Sequence, residues 1–512
     1  MMRKKYFSIL NWAVSVLFIQ CADHSADRKT KSADNQPRNV ILIVSDDHRF
    51  DFFGFTGKVP WLETPNMDRL AKEGAYLPNA FVTTSLCSPS RATILTGLYS
   101  HNHNVVDNAA PLPDGLTFFP EYLQKTGYQT AFFGKWHIGH ETDDPRPGFN
   151  HWVSFKGQGA YFSPELNING EKKQFSDSAY ITDVLTDLTL SWLDSRQKEK
   201  PFFIFLSHKA VHEDFYPAPR HYQKYKNEEI LYPPSFNTSM PNITGKVKPG
   251  EAPAMGRDYY GPGRTPDWQK LQRESVHGVD YILEGARTFE DIYKGYCETL
   301  LAVDESVGRI LDFLDINGLA GSTLVIYMGD NGFSFGEHGL IDKRQFYEES
   351  AKFPLLIRCP ELFEGNRIEG KLVQNTDIAP TIMDAAGLQI PSSMPGYSLL
   401  PLLKGDSVTW RNKIFYEYYW EYEYPYTPTM HGVRTDRYKL IRYHGIWDTN
   451  EFYDLETDPA EMNNLIDSDK HQEIIAELSE SIYEWLEETG GMQIPLKRTS
   501  RPKLDHRNKN LY

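Results

Sequence analysis

NVILIVSDD (residues 39–47) is an apolar, β-branched run closed by two carboxylates. A run without polar alternation reads as a strand buried on both faces, the kind that fills parallel sheets. Three other stretches are built the same way: YQTAFFGKWH (128–137), PFFIFLSHKAVH (201–212) and STLVIYMGDNG (322–332). Each starts apolar and ends in lysine, histidine, acid or amide. Helical patterns lie between them at 64–73, 90–98, 181–193 and 293–314. In the last, Leu300, Val303, Val307, Ile310, Leu311 and Leu314 recur at helical spacing. Strands alternating with helices predict an α/β domain whose central, mainly parallel sheet is flanked by helices. Ligands of such sheets bind beyond the carboxyl ends of the strands, and every polar cluster just quoted falls at such an end.

A chain of 512 residues exceeds one ordinary core. The large catalytic domain is expected over 39–405, with an irregular insertion rich in Pro, Gly, Tyr and charge at about 213–287. A smaller α+β domain is expected over 406–490, followed by a tail at 491–512. That second part holds a stretch dense in aromatics and glutamates (413–426), a hairpin-like HGVRTDRYKLIRYHG (431–445) and a helix from about 471 to 488. A net charge of −15 argues against nucleic acid as a partner. It leaves room for an anionic substrate held in a local basic pocket.

The N-terminus carries Arg3, Lys4 and Lys5, then an apolar run over 6–19 that ends near Cys21. The run is shorter than the roughly 20 residues of a spanning helix and reads as a signal peptide. Its end resembles a bacterial lipoprotein signal (1–21), with Cys21 as the lipidated residue and 22–38 as a polar tether. Phe18 and Gln20 depart from that pattern, and plain secretion is the alternative. The expected location is outside the cytoplasm, lipid-anchored at the bacterial outer membrane.

Beyond Cys21 only Cys87, Cys297 and Cys359 remain, an odd number that makes no disulfide framework. Cys297 sits in a helical pattern where a small buried residue fits. Asp46-Asp47 and Asp330-Asn331, each closing a strand, would bring three carboxylates and an amide oxygen to one place. Mutually repelling carboxylates suit a hard cation, and all-oxygen ligation favours Ca²⁺ or Mg²⁺ over zinc. Turn or helix capping is the competing role for both pairs. Cys87 opens CSPSR (87–91), followed by Thr96-Gly97, with no histidine signature of a thiol enzyme beside it.

CSPSR with the following TG resembles the signature of the type I, formylglycine-dependent sulfatases of the alkaline phosphatase superfamily. The resemblance runs from Asn39 to about Leu465: DD at Asp46-Asp47, GKWHIG (134–139), SHKAVH (207–212), GDNG (329–332), and DK at Asp342-Lys343. The segments HGVRTDRYKLI and FYDLETDPAEMNNL are similar to that family's C-terminal region.

The resemblance implies an alkaline-phosphatase-like fold and a Cys87 oxidised to formylglycine by a maturation enzyme. It implies one Ca²⁺ held by Asp46, Asp47, Asp330, Asn331 and the modified Cys87. Arg91 and His137 would orient the formylglycine, Lys135 and Lys343 would clamp the sulfate, and His212 would protonate the leaving alcohol. A hydrated aldehyde offers one hydroxyl to attack sulfur and a second to expel sulfate, which a serine lacks. His208, His338, His431 and Arg434 are expected substrate contacts. Tyr419, Trp420, Tyr422 and Tyr424 offer rings for sugar stacking, with packing as their other use.

The expected activity is sulfuric ester hydrolysis on sulfated polysaccharide or its oligosaccharides. The substrate is either glycosaminoglycan of the N-acetylglucosamine-6-sulfate type or algal polysaccharide such as ulvan or carrageenan. The alternatives are a formylglycine phosphonate or phosphodiester hydrolase, which typically carries Asp-His where this chain has Asp330-Asn331, and a non-catalytic saccharide-binding lipoprotein.

Overall fold

The computed structural model describes residues 37–139, 142–236, 266–273, 275–283, 287–444 and 449–495. Cys21, the signal peptide, most of the tether, much of the insertion and most of the C-terminal tail lie outside them. From Pro37 onward the described residues form one compact unit. Among the described residues no helix is long and apolar enough to cross a membrane.

Fourteen strands carry the argument. Ten make the central sheet: β1 (Asn39–Ser45), β2 (Ala75–Tyr76), β3 (Gln129–Lys135), β4 (His151–Phe155), β5 (Glu165–Ile168), β6 (Glu171–Gln174), β7 (Phe202–Ser207), β8 (Thr323–Gly329), β9 (Leu355–Arg358) and β10 (Arg367–Ile368). Their spatial order is β10-β2-β9-β8-β1-β7-β3-β4-β5-β6. The four runs singled out in the sequence are the four adjacent central strands β8, β1, β7 and β3, all parallel. Antiparallel pairs appear only outside them, as at β8–β9 and β4–β5.

Strand β1 serves both faces. Val40, Leu42 and Val44 join one core with Ala92, Ile94, Phe119 and Ile382. Ile41 and Ile43 join a second core with Met67, Leu185, Val303 and Ile310. The period-2 alternation of a strand thus makes three layers, helix on sheet on helix. One outer layer holds α1 (Pro65–Glu73), α4 (Ile181–Ser195) and α7 (Phe289–Ile316). The other holds α2 (Cys87–Thr96), α3 (Phe119–Lys125) and α8 (Ile378–Ala385). The expected irregular insertion contains two short helices, α5 (Asp267–Arg273) and α6 (Val279–Leu283).

Past residue 405 the chain builds a separate antiparallel sheet, β11 (Lys413–Tyr418), β12 (Met430–Thr435), β13 (Tyr438–Tyr443) and β14 (Glu451–Asp454). The long helix α9 (Gln472–Thr489) covers it through Leu478, Ile482, Trp485 and Leu486 against Val433, Leu440 and Phe452.

Helix α2 begins at Cys87, three residues earlier than the apolar pattern suggests. Extended Leu86 precedes it, and Pro89 falls in the first turn, where a missing N–H leaves no intrahelical bond unmade. Gly97 ends it in the left-handed region at φ 68°.

Candidate active site

The carboxyl ends of the four central strands converge on one buried cluster. The backbone ladder carries past the end of β1: Asp46 N–H donates to Ala210 O at 3.0 Å, and Val211 N–H donates to Asp46 O at 2.8 Å. Asp330 N–H donates to Ser45 O at 3.0 Å from the end of β8. These bonds fix the acids in register, so a strand end becomes a site. Asp47 turns into the left-handed region at φ 59°, held by its N–H on Asp330 Oδ1 (3.0 Å) and by the Tyr296 hydroxyl on its carbonyl (2.8 Å).

Ligand oxygens of Asp46, Asp47 and Asp330 lie within 4.8 Å of one another. The Cys87 sulfur, at the first turn of α2, is 3.3 Å from Asp46 Oδ1 and 3.9 Å from Asp47 Oδ1. The helix N-terminus adds its positive end to this spot and favours an anion there. Asn331 Nδ2 donates to Asp47 Oδ1 at 2.7 Å. Asn331 Oδ1 is buried with no hydrogen-bond partner among the described residues. An orphaned buried oxygen among three carboxylates fits a hard, oxygen-seeking cation, so Asp46, Asp47, Asp330 and Asn331 are the residues that would hold one.

Three cations balance three acids. Arg91 Nε reaches Asp330 Oδ2 at 2.9 Å, while its Nη1 donates to Lys135 O (2.8 Å) and Ser207 Oγ (2.5 Å). One guanidinium thereby ties the ends of β3, β7 and β8. Lys135 Nζ donates to Asp46 Oδ2 and to Gln158 Oε1. Lys343 Nζ contacts both Asp47 oxygens, at 2.6 and 2.5 Å.

His137 Nε2 lies 3.3 Å from the Gln158 amide and its Nδ1 lies 3.5 Å from Ser88 Oγ. His212 Nε2 lies 3.8 Å from Asp47 Oδ2, with the side chain 15% exposed. The structure therefore brings together Cys87, Arg91, Lys135, His137, His212, Lys343 and both acid pairs.

Titration follows the packing. Burial raises Asp46, but Lys135, His212, Arg91 and Lys343 outweigh it and hold the carboxyl well below its usual range. Burial and the neighbouring Asp46 push Asp330 up to about 7. Burial and Asp46 likewise push the Cys87 thiol well above its ordinary value. Burial and Lys135 hold both His137 and His212 well below the ordinary imidazole value. Burial and Lys135 lower Lys209 to about 8.

Four expected substrate contacts are placed elsewhere. His208 Nε2 turns into the second core and meets Ser306 of α7 at 3.1 Å. His338 stacks on Tyr347 at 4.0 Å between ring centroids and is buried. His431 pairs with His444 at 2.6 Å beneath Trp485, inside the small sheet's packing on α9. Arg434 pairs with Glu348 at 3.3 Å and lies over Phe81. Each of the four is thus engaged with a protein partner in this arrangement.

Of the four aromatics, Tyr419 is buried with its hydroxyl on Glu417. Tyr424 lies between Arg344 and His277, at 4.0 and 4.5 Å. Trp420 and Tyr422 remain exposed, at 42% and 47%. Sequence reasoning missed Gln158, which sits between Lys135 and His137 on a loop after β4 with no motif around it. It also missed Asn108, whose Oδ1 accepts from Ser88 N–H at 3.0 Å.

The family model described as "Sulfatase" matches residues 38–388, and that of the "N-sulphoglucosamine sulphohydrolase, C-terminal" region matches 336–488. The chain is 33% identical to an N-acetylglucosamine-6-O-sulfatase of Bacteroides thetaiotaomicron, covering 88% of this chain and 86% of that protein. It is 28% identical to the N-acetylglucosamine-6-sulfatase of Capra hircus, covering 84% and 80%. A solved structure described as a complex with its substrate D-glucosamine-2-N,6-O-disulfate superposes with a TM-score of 0.76 at 30% identity, covering 90% of this chain and all of that one. The fold, the acid cluster at the strand ends and these matches agree: the chain belongs to the sulfatase family, in the alkaline phosphatase superfamily, and is a sulfuric ester hydrolase.

Proposed function

We propose that this enzyme removes the 6-O-sulfate of glucosamine or N-acetylglucosamine units from sulfated glycans of the glycosaminoglycan type. The single observation that carries the chemistry is the Cys87 sulfur 3.3 Å from Asp46, at the head of a helix and among three carboxylates. The relatives named for N-acetylglucosamine-6-sulfate, at 33% and 28% identity, support the sugar.

Oxidised by a maturation enzyme to formylglycine and hydrated, position 87 supplies a hydroxyl for attack on sulfur and a second hydroxyl for release of sulfate. Asp46, Asp47, Asp330 and Asn331 would hold a Ca²⁺, whose charge would favour the ionised hydroxyl. The remaining work belongs to the chain. Arg91 holds Asp330 and the end of β3, which keeps Lys135 aimed at the cluster. Lys135 and Lys343 are poised to exchange carboxylate oxygens for sulfate oxygens as charge develops there. His137 and Gln158 line the nucleophile's flank, and His212 gives the proton to the leaving sugar oxygen. Export as a lipoprotein anchored through Cys21 at the outer membrane belongs to the same proposal and agrees with a polymeric substrate met outside the cytoplasm.

The test is sulfate release from a panel: N-acetylglucosamine-6-sulfate, glucosamine-2-N,6-O-disulfate, their 3-O-sulfated isomers, and ulvan and carrageenan oligosaccharides. Release confined to the 6-O-sulfated glucosamines is expected, with none from Cys87→Ala. Intact mass should show the wild type about 18 Da lighter than its sequence from position 21 onward and any lipid require. Release surviving in Cys87→Ala removes the mechanism, and release confined to algal oligosaccharides removes the sugar assignment.

A further inference from the structure

His212 sits on a turn that two other side chains hold, and neither has a role above. Lys209, three residues earlier, is buried, and its Nζ donates to the Glu213 carbonyl at 3.2 Å. The same carbonyl faces His212 Nδ1 at 3.0 Å. The ammonium of Lys209 also lies 4.6 Å from the centre of the Tyr161 ring. Tyr161 arrives from a different segment, the loop after β4, and its hydroxyl donates to the His212 carbonyl. Two chain segments therefore close around one imidazole, and the carbonyl that orients it is shared with a lysine.

A carbonyl oxygen accepts and never donates, so His212 Nδ1 carries hydrogen. In the neutral ring that is the only ring proton, and Nε2 is bare. Nε2 is also the nitrogen turned toward the acid cluster, 3.8 Å from Asp47 Oδ2. The carbonyl's two lone pairs accommodate both donors, and the lysine fixes where that oxygen points.

We propose that Lys209 and Tyr161 are positioning residues that hold His212 with Nδ1–H on the Glu213 carbonyl and Nε2 aimed at the leaving oxygen. The proposal rests on the reading of His212 as the proton donor. When the sulfur–oxygen bond to the sugar breaks, its electron pair stays on the sugar oxygen. That oxygen takes the proton from Nε2 of the doubly protonated ring. The ring returns to neutral with Nδ1–H still on Glu213, and the proton that the attacking hydroxyl released to solvent balances the one that restores Nε2–H at the ring's exposed edge. The logic matches that of a metal-free histidine whose second nitrogen is oriented by a fixed acceptor.

The experiment compares two substrates that differ in their need for a proton. A sugar sulfate leaves as an alkoxide and needs the donor, whereas 4-nitrophenyl sulfate leaves as a stabilised phenolate and needs it little. Lys209→Met, Lys209→Arg, Tyr161→Phe and His212→Ala are assayed for kcat and KM on both. Lys209→Met and Tyr161→Phe are expected to lose kcat on N-acetylglucosamine-6-sulfate at least about tenfold more than on the aryl sulfate. KM should change little, and Lys209→Arg should recover most of the loss. Equal losses on both substrates in Lys209→Met and Tyr161→Phe, with the split present in His212→Ala, overturn the positioning role alone. Equal losses in His212→Ala as well overturn the reading of His212 as the donor. Tyr161→Phe deletes one oxygen and serves should Lys209→Met fold poorly.

Discussion

Lys343→Met separates two roles that the same lysine plays. Its ammonium occupies both oxygens of Asp47, at 2.6 and 2.5 Å, in a buried site. A divalent cation that takes Asp47 must first displace it. A hydrogen bond to a charged group is worth about 1.5–3 kcal/mol, so removing the competitor should tighten Ca²⁺ by roughly 10- to 100-fold. The metal-free variant keeps the Asn331 amide on Asp47 but loses the nearest counter-charge of a buried carboxylate, a loss of about 3–5 kcal/mol. With an unfolding entropy of roughly 1 kcal/mol/K for a chain this long, that is a fall of about 3–5 °C in Tm. Methionine keeps the volume, so neither effect is a cavity. Calorimetric titration of metal-free protein gives the affinity, and thermal unfolding with and without Ca²⁺ gives the stability. The variant should bind more tightly, gain more Tm from Ca²⁺ than the wild type gains, and still hydrolyse sulfate esters poorly. Ca²⁺ binding no tighter than in the wild type would refute the argument that Lys343 stands in for the cation at Asp47.

Other consequences are as direct. Arg91→Lys keeps the charge but cannot span Asp330, the Lys135 carbonyl and Ser207 at once; kcat should fall by ~100-fold or more, with a lower Tm. Gly134→Ala places a Cβ 1.8 Å from the Ser207 carbonyl at φ 113°, so a loss of ~3 kcal/mol or more in urea unfolding is expected, with Lys135 displaced. His208 tests the weight of its bond to Ser306: His208→Asn should leave kcat within ~3-fold while lowering the urea midpoint. Burial depresses His208 to about 3, so between 6.5 and that value only the unfolded chain takes up the proton. Its contribution to stability is complete above pH 6.5 and is lost as pH falls, and His208→Asn should flatten that slope between neutral and mildly acidic buffer.

The central strands were legible because burial on both faces leaves an unbroken apolar signature. Their polar ends were legible because a strand must stop where carboxylates begin. The spatial order β8-β1-β7-β3 was not, since neighbours in a parallel sheet are chosen by crossover connections that leave no mark on the strands themselves. The site residues at the end of a strand or in the first turn of α2 had their direction set by backbone bonds close by. His431 and Arg434 had no such constraint. They lie three apart on one strand and so face opposite sides, His431 toward His444 and Trp485, Arg434 toward Glu348 and Phe81. His208 is a related case. Three residues separate it from His212, and the turn between them sends one ring to Ser306 of α7 and the other toward Asp47. Gln158 is the opposite case, a residue that matters by arriving beside Lys135 and His137 from a loop without pattern.

Cys87 is fully enclosed, with no exposed surface. If its oxidation is what makes the enzyme, no catalyst can reach it once the sheet and α2 have closed. Maturation and folding are then competitors in time, and the outcome is decided chain by chain. A molecule that folds first is trapped as an inert, well-packed thiol that ordinary stability measurements cannot tell from a live one. A preparation's specific activity would accordingly report the fraction that won that race, and refolding from denaturant in the presence of the oxidising enzyme would be the only way to recover the rest.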